Sequence, residues 1–462
     1  MKLVRIYVLL GLISPIQAFA QTHPKKLELN AISSVAEYFE RGKFSAHSRS
    51  FFMTTINQGE LKDYYALTTG AGIGYKSPSY RGFGFGLNGF FIFKIAANSL
   101  AQPDNKTGKQ SRYELGLLDV SNPHNGEDLD RLEEAYIYYQ KDYITLELGR
   151  MCLNSPFING QDSRMRPSLE EGLTINFAKN HLKLSGAYLW AMSPRSTVLW
   201  YPLGQSIGLY GTGQNIHGEK ANYANKTHSK GLALLGLSWS DSETSIEFWN
   251  TAIANINNTA FLKSEKQLHT KAGNLKFGLQ LMRQDKLGNG GNTLEEYRYM
   301  EAEAAEALSG RIELARKRSS YQLNYTRITN TGRFLFPREW GKEPFYTTMS
   351  RERNEGYGDV HAFSANYFHK LSKSLQCKVA AGYYDLPNPE NPTLNKYDMN
   401  DYMHWSLELD YIAQGAWKGV ECKLLLVLKD DVVGEENPML LFNKSNMAQL
   451  NLVLDYYFRK QH

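Results

Sequence analysis

The closing stretch of the chain alternates between apolar and polar side chains. Leu450, Leu452, Leu454, Tyr456 and Phe458 fall on one parity, against Gln449, Asn451, Asp455 and Tyr457 on the other. Successive side chains of a β-strand point to opposite faces, so a period of two builds one greasy face ending in aromatics and one polar face. The dyad recurs at Leu275, Phe277, Leu279 and Leu281 against Lys276, Gly278 and Gln280. It appears again at Leu375, Cys377, Val379, Ala381 and Tyr383 against Gln376, Lys378, Ala380 and Gly382, and at Trp405, Leu407, Leu409 and Tyr411 against His404, Ser406, Glu408 and Asp410.

Carried along the chain, the spacing predicts eighteen strands, at 43–57, 63–75, 82–94, 131–140, 143–150, 169–178, 181–191, 230–239, 243–252, 273–284, 296–308, 309–317, 319–328, 358–368, 374–384, 402–411, 419–429 and 447–458. Turns as short as Lys141-Asp142, Lys179-Asn180 and Ser240-Asp241-Ser242 alternate with polar loops at 95–130, 151–168, 192–229, 253–272, 329–357, 385–401 and 430–446. A soluble β-sandwich also alternates, but its turn signals recur roughly every 8–12 residues. Very short connections alternating with long ones describe an all-β transmembrane antiparallel β-barrel, with short periplasmic turns and long extracellular loops. An even count returns both termini to the periplasm. The rival lies at 285–320, where Glu301 to Leu308 has helix-forming composition; a loop helix there lowers the count to sixteen.

Length favours the barrel. A soluble chain of 462 residues divides into domains, because single cores stop growing near about 250–300 residues. No Pro/Ser-rich linker or shift in composition marks a division, whereas a barrel needs no central apolar core and is long without being divided. The 13% of aromatic residues then read as interface girdles and lipid-facing positions. Lys2 and Arg5, the apolar run Ile6 to Ile13 and the small-x-small Ala18-Phe19-Ala20 read as a cleaved secretory signal peptide. The expected organisation is a signal peptide at 1–20, a periplasmic N-terminal segment at 21–42, a barrel at 43–458 and a tail at 459–462. Residues 21–42 are too few for a plug domain, which argues against energy-coupled import.

Removing the signal takes two basic residues from a net charge of +5, and so near-neutral a chain gives no support for a nucleic-acid partner. Three cysteines form no disulfide framework and lack zinc-site or CxxC spacing, so they read as packing positions. His47, His361 and His404 accompany no GxSxG elbow or HExxH pair, and Gly70 to Gly74 lacks the phosphate-loop patterns. No catalytic residue, metal ligand or cofactor is expected.

Three ordered blocks point to a family. Gly59-Glu60-Leu61-Lys62-Asp63-Tyr64-Tyr65-Ala66, running on to Gly70 through Ser77, resembles the start of OprD-type outer-membrane porins. So does Asp162-Ser163-Arg164-Met165-Arg166-Pro167 followed by Glu171-Gly172, and the most specific block is Phe336-Pro337-Arg338-Glu339-Trp340-Gly341-Lys342-Glu343-Pro344-Phe345-Tyr346-Thr347. The resemblance implies an eighteen-stranded barrel passing small, often carboxylate-bearing solutes across the outer membrane of a Gram-negative bacterium. Two inward loops narrow its lumen and a ladder of basic side chains leads the solute. It implies a monomer, with a loose trimer as the other assembly, inserted by the barrel assembly machinery among outer-membrane lipid and lipopolysaccharide. One departure is the run Arg459-Lys460-Gln461-His462 after Phe458, where such barrels end on an aromatic residue.

A selective pore carries charge on its wall, where low-dielectric protein focuses the field. Parity turns Lys43, His47 and Arg49 inward on the first strand, opposite Phe44, Ala46 and Phe52, and Lys183, Lys276, Lys378 and Lys423 inward on others. A cation facing lipid at mid-membrane costs about 2–4 kcal/mol. Generic lumen polarity is the plain alternative to a basic track. The loop at 151–168 carries Asp162, Arg164 and Arg166, with Arg150 at its base. The family match places Arg164 and Arg166 in the constriction; the alternative is that they pin the loop to wall carboxylates such as Glu134 or Glu147. In the loop at 329–357, Pro337, Arg338, Glu339, Trp340, Gly341, Pro344 and Phe345 form the family motif, and Trp340 and Phe345 supply apolar anchors for inward packing. Arg351 and Arg353 read as a surface patch meeting lipopolysaccharide. Glu134, Glu147, Glu408 and Asp410 also face inward, so zwitterions and organic acids both remain open as solutes. The leading reading is a passive, substrate-selective porin. The rivals are an outer-membrane lipid hydrolase, and a closed barrel serving as adhesin or anchor through the loops at 95–130 and 192–229.

Overall fold

A computed structural model describes residues 34–161 and 164–459. The leader at 1–20, residues 21–33, Asp162, Ser163 and residues 460–462 lie outside the described residues. The described chain opens with a short helix, α1 (Val35–Glu40), capped by the Ser34 hydroxyl, which accepts from the Glu37 amide at 3.1 Å. The Phe39 ring lies against Tyr75 and Phe85.

One sheet then closes on itself. Its strands are β1 (Lys43–Asn57), β2 (Tyr64–Lys76), β3 (Phe83–Ala97), β4 (Arg131–Lys141), β5 (Ile144–Met151), β6 (Leu169–Lys179) and β7 (Leu182–Ser193). After the two-residue β8 (Tyr201–Pro202) come β9 (Leu232–Ser240), β10 (Thr244–Ile253), β11 (Asn257–Thr270), β12 (Gly273–Lys286) and β13 (Ala304–Ala315). The circuit finishes with β14 (Ser319–Ile328), β15 (Val360–Lys370), β16 (Leu375–Asp385), β17 (Tyr402–Ile412), β18 (Val420–Asp431) and β19 (Met447–Arg459). β8 pairs only with the end of β7, and the other eighteen strands form the antiparallel barrel. The seam joins β1 to β19, with Ala46 opposite Phe458 and Thr55 opposite Gln449. Closure gives every wall strand two neighbours, which a sheet in lipid requires because water cannot serve an open edge there. Asp142 and Asn180 take the left-handed conformation in their turns, which short polar side chains tolerate.

Two assignments along the wall differ from the periodicity, and they offset each other. β11 occupies most of the expected loop at 253–272, while the single strand β13 replaces the two expected over 296–308 and 309–317. β11 hides because its outward parity holds only Leu262 and Leu268 as large apolar groups, among Asn258, Ala260, Ser264 and Lys266; pairing of Leu262 with Leu281 of β12 sets its register. The helical rival fails as well. Ala304 and Leu308 pair with Asp285 and Leu281, so sheet pairing overrides alanine's helix preference.

The expectation of a barrel without an apolar core needs correcting. Long loops fold into the lumen and pack there in two clusters. One gathers Phe157, Ile158, Leu203, Ile207, Tyr223, Phe334, Phe336, Trp340 and Phe345 against wall residues such as Trp249 and Phe261. The other packs Leu115, Leu117, Met165 and Phe442 against Phe51, Met53, Tyr64 and Phe90. Much of the aromatic content therefore fills the loop end of the barrel rather than facing lipid. The loops at 95–130 and 192–229, which an adhesin presents outward, bury Leu115, Leu117, Leu203 and Ile207 inside.

Candidate functional site

The space left by the loops is a charged passage of about 3670 Å³. Its narrowing elements are the loop between β5 and β6, which carries Arg164 and Arg166, and the loop between β14 and β15, which carries the motif around Trp340.

On one side the arrangement is built from glycine upward. A Cβ at Gly70 or Gly72 would collide with the Phe90 ring, so these two glycines let that ring lie against the wall. Over the ring, 3.9 Å from its centre, stacks the Arg166 guanidinium. Arg166 donates twice to Glu133, with Nε at 2.5 Å, and Arg131 reaches the same carboxylate at 3.0 Å. The wall carboxylate that pins the loop is thus Glu133, not the expected Glu134 or Glu147. An irregularity in the β3–β4 pairing, where Asn88 meets Glu134 but Gly89 meets Leu132, explains why: both Glu133 and Glu134 line the passage, and strict parity cannot show that. Beside this group Arg49 grips Asp455 with Nε at 2.7 Å and Nη2 at 3.0 Å, and its Nη1 donates to the Arg164 carbonyl at 2.9 Å. His47 meets the same Asp455 at 2.7 Å. Burial, helped by the neighbouring Arg351, lowers the Arg164 pKa to about 9, which leaves it cationic at neutral pH.

The opposite side belongs to the motif loop. Trp340 is fully buried and donates from Nε1 to the Ser206 hydroxyl at 2.8 Å. A Cβ at Gly341 would strike the Phe157 carbonyl at 2.3 Å, so only glycine lets the two loops approach. The Pro344 carbonyl accepts from Gln280 of β12 at 2.9 Å, while Phe336 and Phe345 fill the cluster beneath. The Pro337 carbonyl closes a turn with the Trp340 amide at 3.0 Å, and the Glu339 carbonyl accepts from Ser168 of the facing loop at 2.6 Å. Arg338 lies 3.8 Å from the Tyr397 ring centre and donates to Glu355 at 2.6 Å. Lys396 and the Tyr397 hydroxyl reach that carboxylate too, at 3.2 and 2.7 Å. Burial alone would raise the pKa of Glu355, but Lys396 and Arg338 outweigh it and hold it near about 2.

Arg351 and Arg353, expected on the outer surface, line the passage instead. The loop turns inward on its aromatic anchors and takes them with it. Arg353 donates to Gln161 Oε1 at 2.6 Å, and Arg195 donates to the same oxygen. Among the described residues neither arginine forms an ion pair. Burial, with Arg195 and Arg338 adding repulsion, lowers the Arg353 pKa to about 10. Two guanidinium groups therefore share one uncharged amide oxygen beside the passage.

Toward the turn end, Lys183 is the second residue of β7, and Lys276, Lys378 and Lys423 are each the fourth residue of theirs; all four line the lumen. Lys423 sits 3.8 Å from Glu408 and 3.6 Å from Asp410, so its charge is largely matched. Lys183 and Lys276 form no ion pair among the described residues. Arg150 is the misplaced candidate. It lies three positions from lumen-facing Glu147 and so points outward near the loop end of β5, where it pairs with Glu171 at 2.9 Å and stacks over Trp200 at 4.6 Å. Arg131, Glu133, Gln161 and Arg195 escaped the sequence reading: the first two sit at an irregular strand end, and the others sit in loops without a periodic signal.

A family model described as "outer membrane porin, OprD family" matches residues 38–355. Among solved structures, Pseudomonas aeruginosa OccK8 (OprE) superposes with a TM-score of 0.71 at 14% identity, covering 92% of this chain and 100% of its own. Acinetobacter baumannii OccAB4 gives 0.70 at 14% identity, covering 91% and 98%. Pseudomonas aeruginosa OpdK with vanillate gives 0.68 at 14% identity, covering 91% and 99%. At such identity the likeness speaks for the fold. No curated protein matches the chain.

Proposed function

The chain belongs to the OprD family of outer membrane porins, and from that premise we propose that it passes small hydrophilic solutes bearing a carboxylate, by passive and substrate-selective diffusion. The observation that carries the reading is the oxygen shared at Gln161. An arginine satisfied by a neutral amide keeps its full charge to offer, and the guanidinium fork matches a carboxylate with two parallel hydrogen bonds. An entering carboxylate exchanges Gln161 Oε1 for its own oxygens on Arg195 and Arg353, without breaking an ion pair. Lys183 and Lys276 on the far wall then take the solute toward the periplasm. The barrel closes within one chain, so a monomer suffices for the passage.

Vanillate, named with the similar OpdK structure, is an aromatic carboxylate of the proposed class. Glu134 and Glu147 support a zwitterion as the second reading, because both line the lumen without an ion pair among the described residues and suit an amino group. Purified barrels in planar bilayers test both. The expected result is an anion-selective reversal potential in a KCl gradient and block by vanillate. Block by neutral amino acids but not by vanillate promotes the zwitterion, and cation selectivity refutes the carboxylate reading.

A further inference from the structure

Between Arg351 and Arg353 lies Glu352, whose side chain reaches the lumen face of the wall. There it meets Lys429, the tenth residue of β18, which is only 2% exposed. Lys429 Nζ donates to Glu352 Oε2 and, at 3.2 Å, to the Arg351 carbonyl. The other carboxylate oxygen, Glu352 Oε1, accepts from the Arg353 amide at 2.9 Å. One buried ion pair therefore holds the main chain on both sides of Glu352.

We propose that Lys429 and Glu352 form a latch that positions Arg351 and Arg353 in the constriction and thereby sets the selectivity of the pore. The inference rests on the proposed carboxylate passage and adds the residues that hold its arginines in place. Arg351 takes a left-handed backbone with φ 68°, a conformation whose cost to a non-glycine residue the surrounding contacts must offset. From that turn the two guanidiniums diverge. Arg351 Nη2 donates to Asn451 of β19 at 2.6 Å, and Arg353 Nη2 donates to Gln161 of the facing loop at 2.6 Å. The segment thus bridges wall and loop, with the latch at its midpoint. The Tyr402 ring lies 5.4 Å from the Lys429 ammonium, but among the described residues Glu352 is the carboxylate that pairs with it. His404 beside it is fully buried, and neither of its ring nitrogens has a hydrogen-bond partner. Without Glu352 the buried ammonium would be uncompensated, so the pair holds or fails as a unit.

Charge and position make opposite forecasts for one variant, which makes the latch testable. Removing a negative charge near an anion path should, by field alone, raise anion preference. Glu352→Gln should instead lower the anion-to-cation permeability ratio by roughly three-fold, because the two arginines lose their anchor. Lys429→Met should lower it similarly, and Lys429→Arg, which can still reach the carboxylate, should restore most of it. Folding is checked first, by the heat-dependent gel mobility of closed barrels. An unchanged or raised ratio in folded Glu352→Gln overturns the latch. So does failure of both single variants to fold, because the pair is then a folding element. Arg353→Ala separates the two levels: if wild type is anion-selective and Arg353→Ala reduces that while Glu352→Gln does not, the latch alone is wrong. If wild type has no anion selectivity, the carboxylate reading is wrong.

Discussion

The constriction buries two groups of arginines and satisfies them differently. On the seam side Arg166 and Arg131 share the carboxylate of Glu133, and Arg49 holds Asp455. Where the two inward loops meet, Arg195 and Arg353 share the amide of Gln161. A guanidinium neutralised by its own carboxylate fixes a loop and contributes little field to a passing solute. One held by an amide is fixed just as well in space but keeps its charge unneutralised beside the path. Lining the lumen is thus not enough to place a basic residue on the solute's route; what satisfies it decides.

The most direct way to break this contrast is the double variant Arg195→Ala/Arg353→Ala. Its anion-to-cation permeability ratio should fall about ten-fold, read from reversal potentials, whereas Arg150→Gln on the outer wall leaves the ratio unchanged. The seam side should behave oppositely. Glu133→Gln strands two buried guanidiniums and should cost about 3–5 kcal/mol of stability, seen as an earlier thermal transition of the detergent-solubilised barrel, with selectivity moving less than in the double variant. The smallest effect is a titration. Lys444 lines the loop end of the lumen, and burial, with Lys109 adding repulsion, lowers its pKa to about 7. It is charged below that value and neutral above it. Anion preference should therefore drop modestly, about two-fold or less, between pH 6 and pH 8, and the Lys444→Met variant should lose that step.

The wall was legible and the site only partly so, for a physical reason. Parity repeats along every strand, so it places Lys183, Lys276, Lys378 and Lys423 in the lumen without any knowledge of neighbours. It fails where the outward face carries little apolar area, as in β11, and where an irregular pairing turns Glu133 inward beside Glu134. The expected count of eighteen survived only because a missed strand offset a divided one. Loops have no period at all. Trp340 and Phe345 signalled inward packing by being too apolar for a solvated loop, but the same loop's Arg351 and Arg353 were read as surface charge, since nothing local shows that the aromatic anchors carry them inside. Gln161 and Arg195 gave no signal because their meaning lies in sharing one oxygen across two loops.

The seam has a consequence for timing. Asp455 stands on the strand that closes the barrel, and Arg49 on the first strand of the wall; their contact in turn lets Arg49 hold the Arg164 carbonyl. The eyelet of the pore is therefore finished by the same event that zips the cylinder shut. A partly inserted barrel cannot present this filter, so chain termination before Asp455 should yield either no conductance or an unselective leak.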